Sequence, residues 1–203
     1  ELIINRPSLL KSQFQNVKKI TIDSLKKDKE NPFNIAFEKW RKLIYFKHPY
    51  AYNPSGYEED ISNITHEDIL SEYENFKSRN KYLISNNLIT KNKNTDLFNK
   101  NNSEKNIKYK QTDPNNFDRY TSTHRDSNQI ILMIGNQTCS RSSHEYLPLK
   151  VLESHLSYGM SSKLFSVFRE KNGLTYDLGV FNPIRKKNSP FLIYLSVSNK
   201  NAI

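Results

Sequence analysis

LPLKVLESHLSYGMSSKLFSVFREKNGLTYDLG, residues 147–179, is the stretch on which the reading of this chain turns. Pro148 suits the start of a helix, where its missing N–H would have had no intrahelical acceptor in any case. Leu149, Leu152, His155 and Leu156 follow at helical spacing, a stripe that predicts a packed face with His155 as a core residue. Gly159 ends that helix. Ser161 or Ser162 caps a second one, with Leu164, Phe165 and Phe168 as its buried side, and Asn172-Gly173 closes it as a left-handed C-terminal stop. Leu174, Tyr176, Leu178 and Val180 then alternate, as a half-buried strand does.

Outward from this stretch, Gln129 to Gly135 reads as an apolar strand, and Phe191 to Val197 alternates after the basic turn Arg185–Lys187. Farther upstream, Leu9 to Lys29 is helical by pattern and is broken at Asn31-Pro32, because a residue before proline is pushed out of the helical region. A second helix is predicted from Asn34 to Phe46, burying Ile35, Trp40, Leu43 and Ile44 and stopping before His48-Pro49. Thr65 followed by Asp68 has the spacing of a capping box, with Ile69, Leu70, Tyr73 and Phe76 on one face of the helix it opens. His66, beside that cap, reads as solvated, and Lys81 to Ser85 as a short strand. Helices first, then strand–helix–helix–strand–strand, point to an α+β fold with mainly antiparallel sheets covered by helices.

Composition sets the outer bounds. The 203 residues hold Lys+Arg 31 against Asp+Glu 21, a net charge of +10, with Tyr 12 and Phe 11. One cysteine, Cys139, excludes a disulfide framework within the chain and slightly favours a reducing compartment. No apolar run approaches the roughly 18 residues of a membrane span. The pI near 9.5 favours acidic partners, yet the lysines are scattered rather than gathered on one face. That argues against nucleic acid as a partner. A basic nucleic-acid-binding protein stays as the reading from another class, and it requires binding that weakens steeply with salt. Residues 91–116 are mostly Lys, Asn, Asp, Ser and Thr, a composition that reads as a mobile linker. The expected organisation is 1–88 as the later part of a first α+β domain, 89–127 as linker, and 128–203 as the beginning of a second. Because the chain opens on Glu1 and stops at Ile203 just after a strand, truncation at both ends is expected.

Within the opening stretch, Gly159, then Ser161, Ser162, Lys163, Leu164 and Phe165, then Arg169, Glu170 and Lys171, then Gly173, Leu174 and Tyr176 form one ungapped run. That run resembles the signature of the second domain of the insulinase/pitrilysin-type zinc peptidases, a family that includes the mitochondrial processing peptidase. HPYAYNPSGYEEDISNITHEDILSEYENF, residues 48–76, is similar to a later segment of the family's first domain. The resemblance implies two structurally related two-layer domains, half of a clamshell that closes on unfolded peptides. It implies that Tyr176 donates to the scissile carbonyl as an oxyanion develops and that Arg169 fixes the substrate backbone. Gly173, Leu174, Ser161 and Ser162 would line the substrate. An arginine in a last helical turn and a tyrosine on a strand just past a glycine turn is a layout that can bring both to one sheet face.

The family's zinc site needs a His-x-x-Glu-His helix, and this sequence has none. His48, His66, His124, His144 and His155 lack ligand spacing. Counting back eight residues from Pro32, where the resemblance places a third ligand, reaches Ser24, with only Asp23 beside it. Zn2+ is therefore expected in the assembled enzyme but not on residues of this chain. The resemblance implies the Arg/Tyr-bearing subunit, inactive by itself, with a homologous zinc-bearing subunit as partner or a homodimer, and unfolded peptides as substrates. A structural subunit of the same fold, without peptidase work, and a peptidase whose zinc helix lies upstream of Glu1 remain alternatives.

Overall fold

A computed structural model describes residues 6–46, 48–79 and 120–201, with Tyr176 and Asn201 as backbone. The expected strand at Lys81 to Ser85 and most of the expected linker lie outside the described residues. Two compact units result, one of residues 1–25 and 56–108, the other of 26–55 and 109–203.

In the first unit, α1 (Lys11–Asp28) supplies its N-terminal part, joined by α3 (Glu58–Asn63) and α4 (His66–Ser78). Lys18 reaches across from α1 and donates from Nζ to the carbonyls of Ser62 and Ile64, both at 2.7 Å, so one ammonium caps the end of α3. The Thr65–Asp68 box forms in both directions. The Asp68 carboxyl is held below its usual range by hydrogen bonds from the Thr65 hydroxyl and backbone N–H. His66 departs from its expected solvation. It is half-buried, with Nε2 2.7 Å from the Leu9 carbonyl and its ring 5.8 Å from Phe14. At the start of α4 the ring falls beside chain that precedes α1, which a local reading could not supply.

The second unit is built on an antiparallel sheet of β1 (Gln129–Gln137), β2 (Thr175–Phe181) and β3 (Pro190–Ser198), in the order β1-β3-β2. α2 (Pro32–Ile44) crosses one face of it. Asn31 caps this helix by accepting from Phe33 N–H at 2.9 Å, and Pro32 opens it. Trp40 and Ile44 then point the same way and meet Leu192, which is fully buried at the sheet centre. Phe37 and Met133 close around them, and Phe37 meets Phe181 edge-on at 5.1 Å. Past α2, Tyr45 is buried and donates from its hydroxyl to the Asn188 carbonyl at 2.8 Å. Burial raises that phenol's pKa well above the usual value.

α5 (Tyr146–Ser157) and a π-helix (Phe165–Lys171) pack against β2. Lys150 ties α5 down by donating to the Asn182 carbonyl at 2.5 Å and pairing with Glu153 at 2.6 Å. His155 is exposed, contrary to the expected core stripe, as is Leu152. The side of α5 turned inward carries Leu149, Lys150, Glu153 and Leu156, so the helix seats itself through an ion pair as much as through leucines.

Candidate functional site

The residues of the 147–179 run gather around one turn. Gly159, at φ +79°, stops α5, and Ser162 is buried at the entry to the next helix, with its carbonyl accepting from Ser166 N–H at 2.9 Å. The Ser162 hydroxyl is buried without a hydrogen-bond partner, while Ser161 is exposed. Leu164 is buried, whereas Phe165 and Phe168 are half-buried rather than core residues. From Phe165 onward the helix widens to π geometry. Such segments are rare in helices and frequent at functional sites.

Arg169 lies in the last part of that π-helix. Its side chain is exposed, and its guanidinium sits over the Phe165 ring at 4.8 Å. This cation–π contact limits how far the charged group swings without taking it out of solvent. The Arg169 carbonyl accepts from Gly173 N–H at 3.0 Å, and the Phe168 carbonyl accepts from Leu174 N–H at 2.8 Å. Gly173 stands at φ +59°, the left-handed conformation expected of it, and Asn172 Nδ2 closes the same end on the Val167 carbonyl at 2.7 Å. The chain thus reverses within two residues and enters β2.

The alternation expected of this strand is interrupted at Tyr176. Thr175 pairs with Val197 and Asp177 with Ser196, neighbours on β3, so Tyr176 is the extra residue of a β-bulge. Bulges bend an edge strand and re-aim side chains, and they recur beside active sites. Here the bulge places Thr175 and Asp177 on opposite faces of the sheet. Thr175 is buried and its hydroxyl donates to the Asp177 carbonyl at 2.8 Å and to that of Ser196. Asp177 stays exposed on the α2 side. Gly173 and Leu174 therefore separate a stacked arginine from a bulged tyrosine backbone. The sequence reading missed the Phe165 contact, although its i, i+4 spacing to Arg169 was a usable signal.

The described residues do not fit zinc. They hold no group of three His, Cys, Asp or Glu placed to share an ion. The Nδ1 of buried His48 accepts from Tyr50 N–H at 3.1 Å, and His66 is turned to the Leu9 carbonyl, so both rings already serve backbone groups. Burial, then the charges of Arg185 and Lys187, lower the His48 pKa. No helix among the described residues is long and apolar enough to cross a membrane.

Helices on a small antiparallel sheet, with an arginine–glycine–tyrosine turn at one sheet edge, define an insulinase-like α+β domain. The description "Peptidase M16 inactive domain" matches residues 62–202, and the chain belongs to that family. A peptidase M16 inactive domain from Pseudomonas fluorescens is 19% identical, over 97% of this chain and 49% of that one, with a TM-score of 0.71. A protease from Helicobacter pylori is 18% identical, over 93% and 48%, with a TM-score of 0.68. A chain of complex III2 from Candida albicans is 14% identical, over 98% and 49%, with a TM-score of 0.61. The chain spans about half the length of these solved structures. No curated protein matches it. The M16 family is zinc-dependent in general, and its members work as dimeric or multi-subunit assemblies.

Proposed function

We propose that this chain is the substrate-holding part of an M16 metallopeptidase, of the two-subunit kind exemplified by the mitochondrial processing peptidase. It binds unfolded peptides and has its metal supplied from outside the described residues. In this reading Arg169 fixes the peptide backbone, and the Tyr176 hydroxyl donates to the scissile carbonyl as negative charge develops there. Gly173, Leu174, Ser161 and Ser162 line the bound peptide in this reading, Ser161 from an exposed position. The observation that supports it most is the turn itself. An exposed guanidinium is preorganised on Phe165, and the bulged backbone of Tyr176 follows Gly173 within the same short reversal. Preorganisation of this kind spares ordering cost when substrate arrives.

The test is peptide hydrolysis by the native assembly isolated through this chain, with Tyr176→Phe compared to wild type. Turnover should fall about 100-fold or more with the assembly intact, because one oxyanion donor is worth roughly that much. Unchanged turnover would reject the oxyanion role. The likeness to a complex III2 chain favours a second reading, a structural subunit that holds an assembly together without handling peptide. It requires that Arg169 and Tyr176 substitutions leave both peptide binding and hydrolysis untouched.

A further inference from the structure

The turn around Gly173 enters β2 at one end of the sheet, and the basic turn Arg185–Lys187, between β2 and β3, stands at the other. There the pairing of β1 with β3 runs on past the strands. Thr138 N–H donates to the Ser189 carbonyl at 2.7 Å, Ser189 N–H to the Cys139 carbonyl at 3.1 Å, and Arg141 N–H to the Arg185 carbonyl at 3.0 Å. Two loops are thus pinned together, with Arg141 and Arg185 as neighbours across them. The basic turn is also tied to the chain that follows α2. Lys187 N–H donates to the Tyr50 hydroxyl at 3.5 Å, and the Tyr45 hydroxyl holds the Asn188 carbonyl. The Arg185 guanidinium lies against both rings, 4.3 Å from the centre of Tyr50 and 5.4 Å from that of Tyr45. Its Nε is buried there and has no hydrogen-bond partner among the described residues. Stacking of this kind sets a planar fork in place before any ligand arrives.

Nothing of opposite sign answers these charges. Residues 45–53, 138–144 and 182–190 contain no Asp or Glu, while the last two stretches supply Arg141, Arg185, Lys186 and Lys187. None of the four takes part in an ion pair among the described residues, and Arg141, Lys186 and Lys187 are exposed. Burial, then the charges of Arg185 and Lys187, lower the His48 pKa, so both cations act on one ring. Cations gathered on one pinned tip and left without carboxylates point to an anion from outside the chain. A lone carboxylate would engage one of them. A terminal phosphate carries about −1.5 to −2 of charge and three acceptor oxygens, enough for a guanidinium fork and its flanking cations. We propose that this tip is a binding site for a terminal phosphate group, with Arg185 as its preset anchor and Lys187 and Arg141 closing on the remaining oxygens. The site does not depend on the reading of the chain as a peptide binder. A soluble phosphorylated ligand and an anionic phospholipid headgroup both present this group.

Two probes separate those sources, each used with the full chain at low ionic strength, where exposed charges are least screened. Inorganic pyrophosphate, followed by titration calorimetry, stands for the soluble ligand. Cosedimentation with phosphatidylcholine vesicles, with and without phosphatidic acid, stands for the headgroup. Saturable binding is expected in at least one arm, weakened about tenfold by Lys187→Gln and by Arg141→Gln. Both side chains are exposed, so these variants keep the packing that Arg185 makes with the tyrosines. Arg185→Lys, which keeps the charge and loses the fork, should weaken binding by a similar factor. Pyrophosphate binding supports a soluble ligand, and binding only to vesicles with phosphatidic acid supports a headgroup. No binding to either probe, vesicle binding indifferent to phosphatidic acid without pyrophosphate binding, or binding that all three substitutions leave unchanged would overturn the site.

Discussion

Replacing Gly173 separates conformational from steric cost at the centre of the candidate site. The residue sits at φ +59°, and a Cβ built there would meet nothing within 4 Å. Gly173→Ala therefore adds no clash, and what remains is the left-handed backbone, which costs an L-residue roughly 1–2 kcal/mol. The stiffer unfolded chain returns roughly 0.4–1 kcal/mol. A net loss of about 1 kcal/mol is expected, a factor of about five in the folded-to-unfolded ratio. Gly173→Asn should cost less, because asparagine visits this region more readily, and Gly173→Val clearly more than alanine, because a β-branched residue there is a genuine outlier. All three keep the N–H that Arg169's carbonyl accepts, so the arginine should stay seated. Urea denaturation of the full chain, followed at several concentrations, measures the differences as midpoint shifts at constant slope. Identical midpoints for valine and alanine, or an alanine loss above about 3 kcal/mol, would refute the assignment of the cost to backbone conformation alone.

Two further outcomes follow from groups outside this turn. His48 has its pKa lowered by burial and by Arg185 and Lys187, so the unfolded chain takes up that proton more readily than the folded one. Its contribution to stability should be present above the ordinary histidine pKa near 6.5 and be lost as pH falls below it; melts of wild type and His48→Gln from pH 7.5 to 5 should diverge in that window, and parallel curves would count against it. Gly135→Ala should disrupt β1–β3 pairing, since its Cβ would lie 2.2 Å from the Phe191 carbonyl oxygen; unaltered hydrogen exchange in β1 would contradict that contact.

Much of the architecture is written in local chemistry. Asn31-Pro32, the Thr65–Asp68 pair and Gly173 each act on backbone within a few residues, so the break after α1, the capping box and the left-handed stop appear as expected. α2 nonetheless opens at Pro32 rather than Asn34, because Asn31 caps it and proline fits its first turn, and it ends at Ile44 rather than Phe46. Features that depend on distant partners were not legible. The alternation of Leu174, Tyr176, Leu178 and Val180 conceals the bulge, because which residue lacks a partner is decided by pairing with Ser196 and Val197. His155 shares a stripe with Leu149 and Leu156, but the inward face of α5 is shifted by the Lys150–Glu153 pair and its anchor on Asn182. The packing of α2 on strands that lie some ninety residues or more farther along, and the meeting of Phe33, Asp177 and Tyr194, are tertiary facts with no local signature. The candidate site divides the same way. Arg169, Gly173 and Tyr176 stand out as a motif, whereas the contact of Arg169 with Phe165 and the bulge that sets Tyr176 apart are settled by the folded chain.

The central claim is that this chain holds peptide through the turn around Gly173. Equilibrium binding of an unfolded peptide to the full chain, wild type against Arg169→Ala, tests it most directly. Losing a charged hydrogen bond of about 1.5–3 kcal/mol should weaken binding by tenfold or more, a larger loss than the roughly 0.5–1 kcal/mol of stability that goes with the Phe165 contact. Equal affinity in the two proteins would contradict the account.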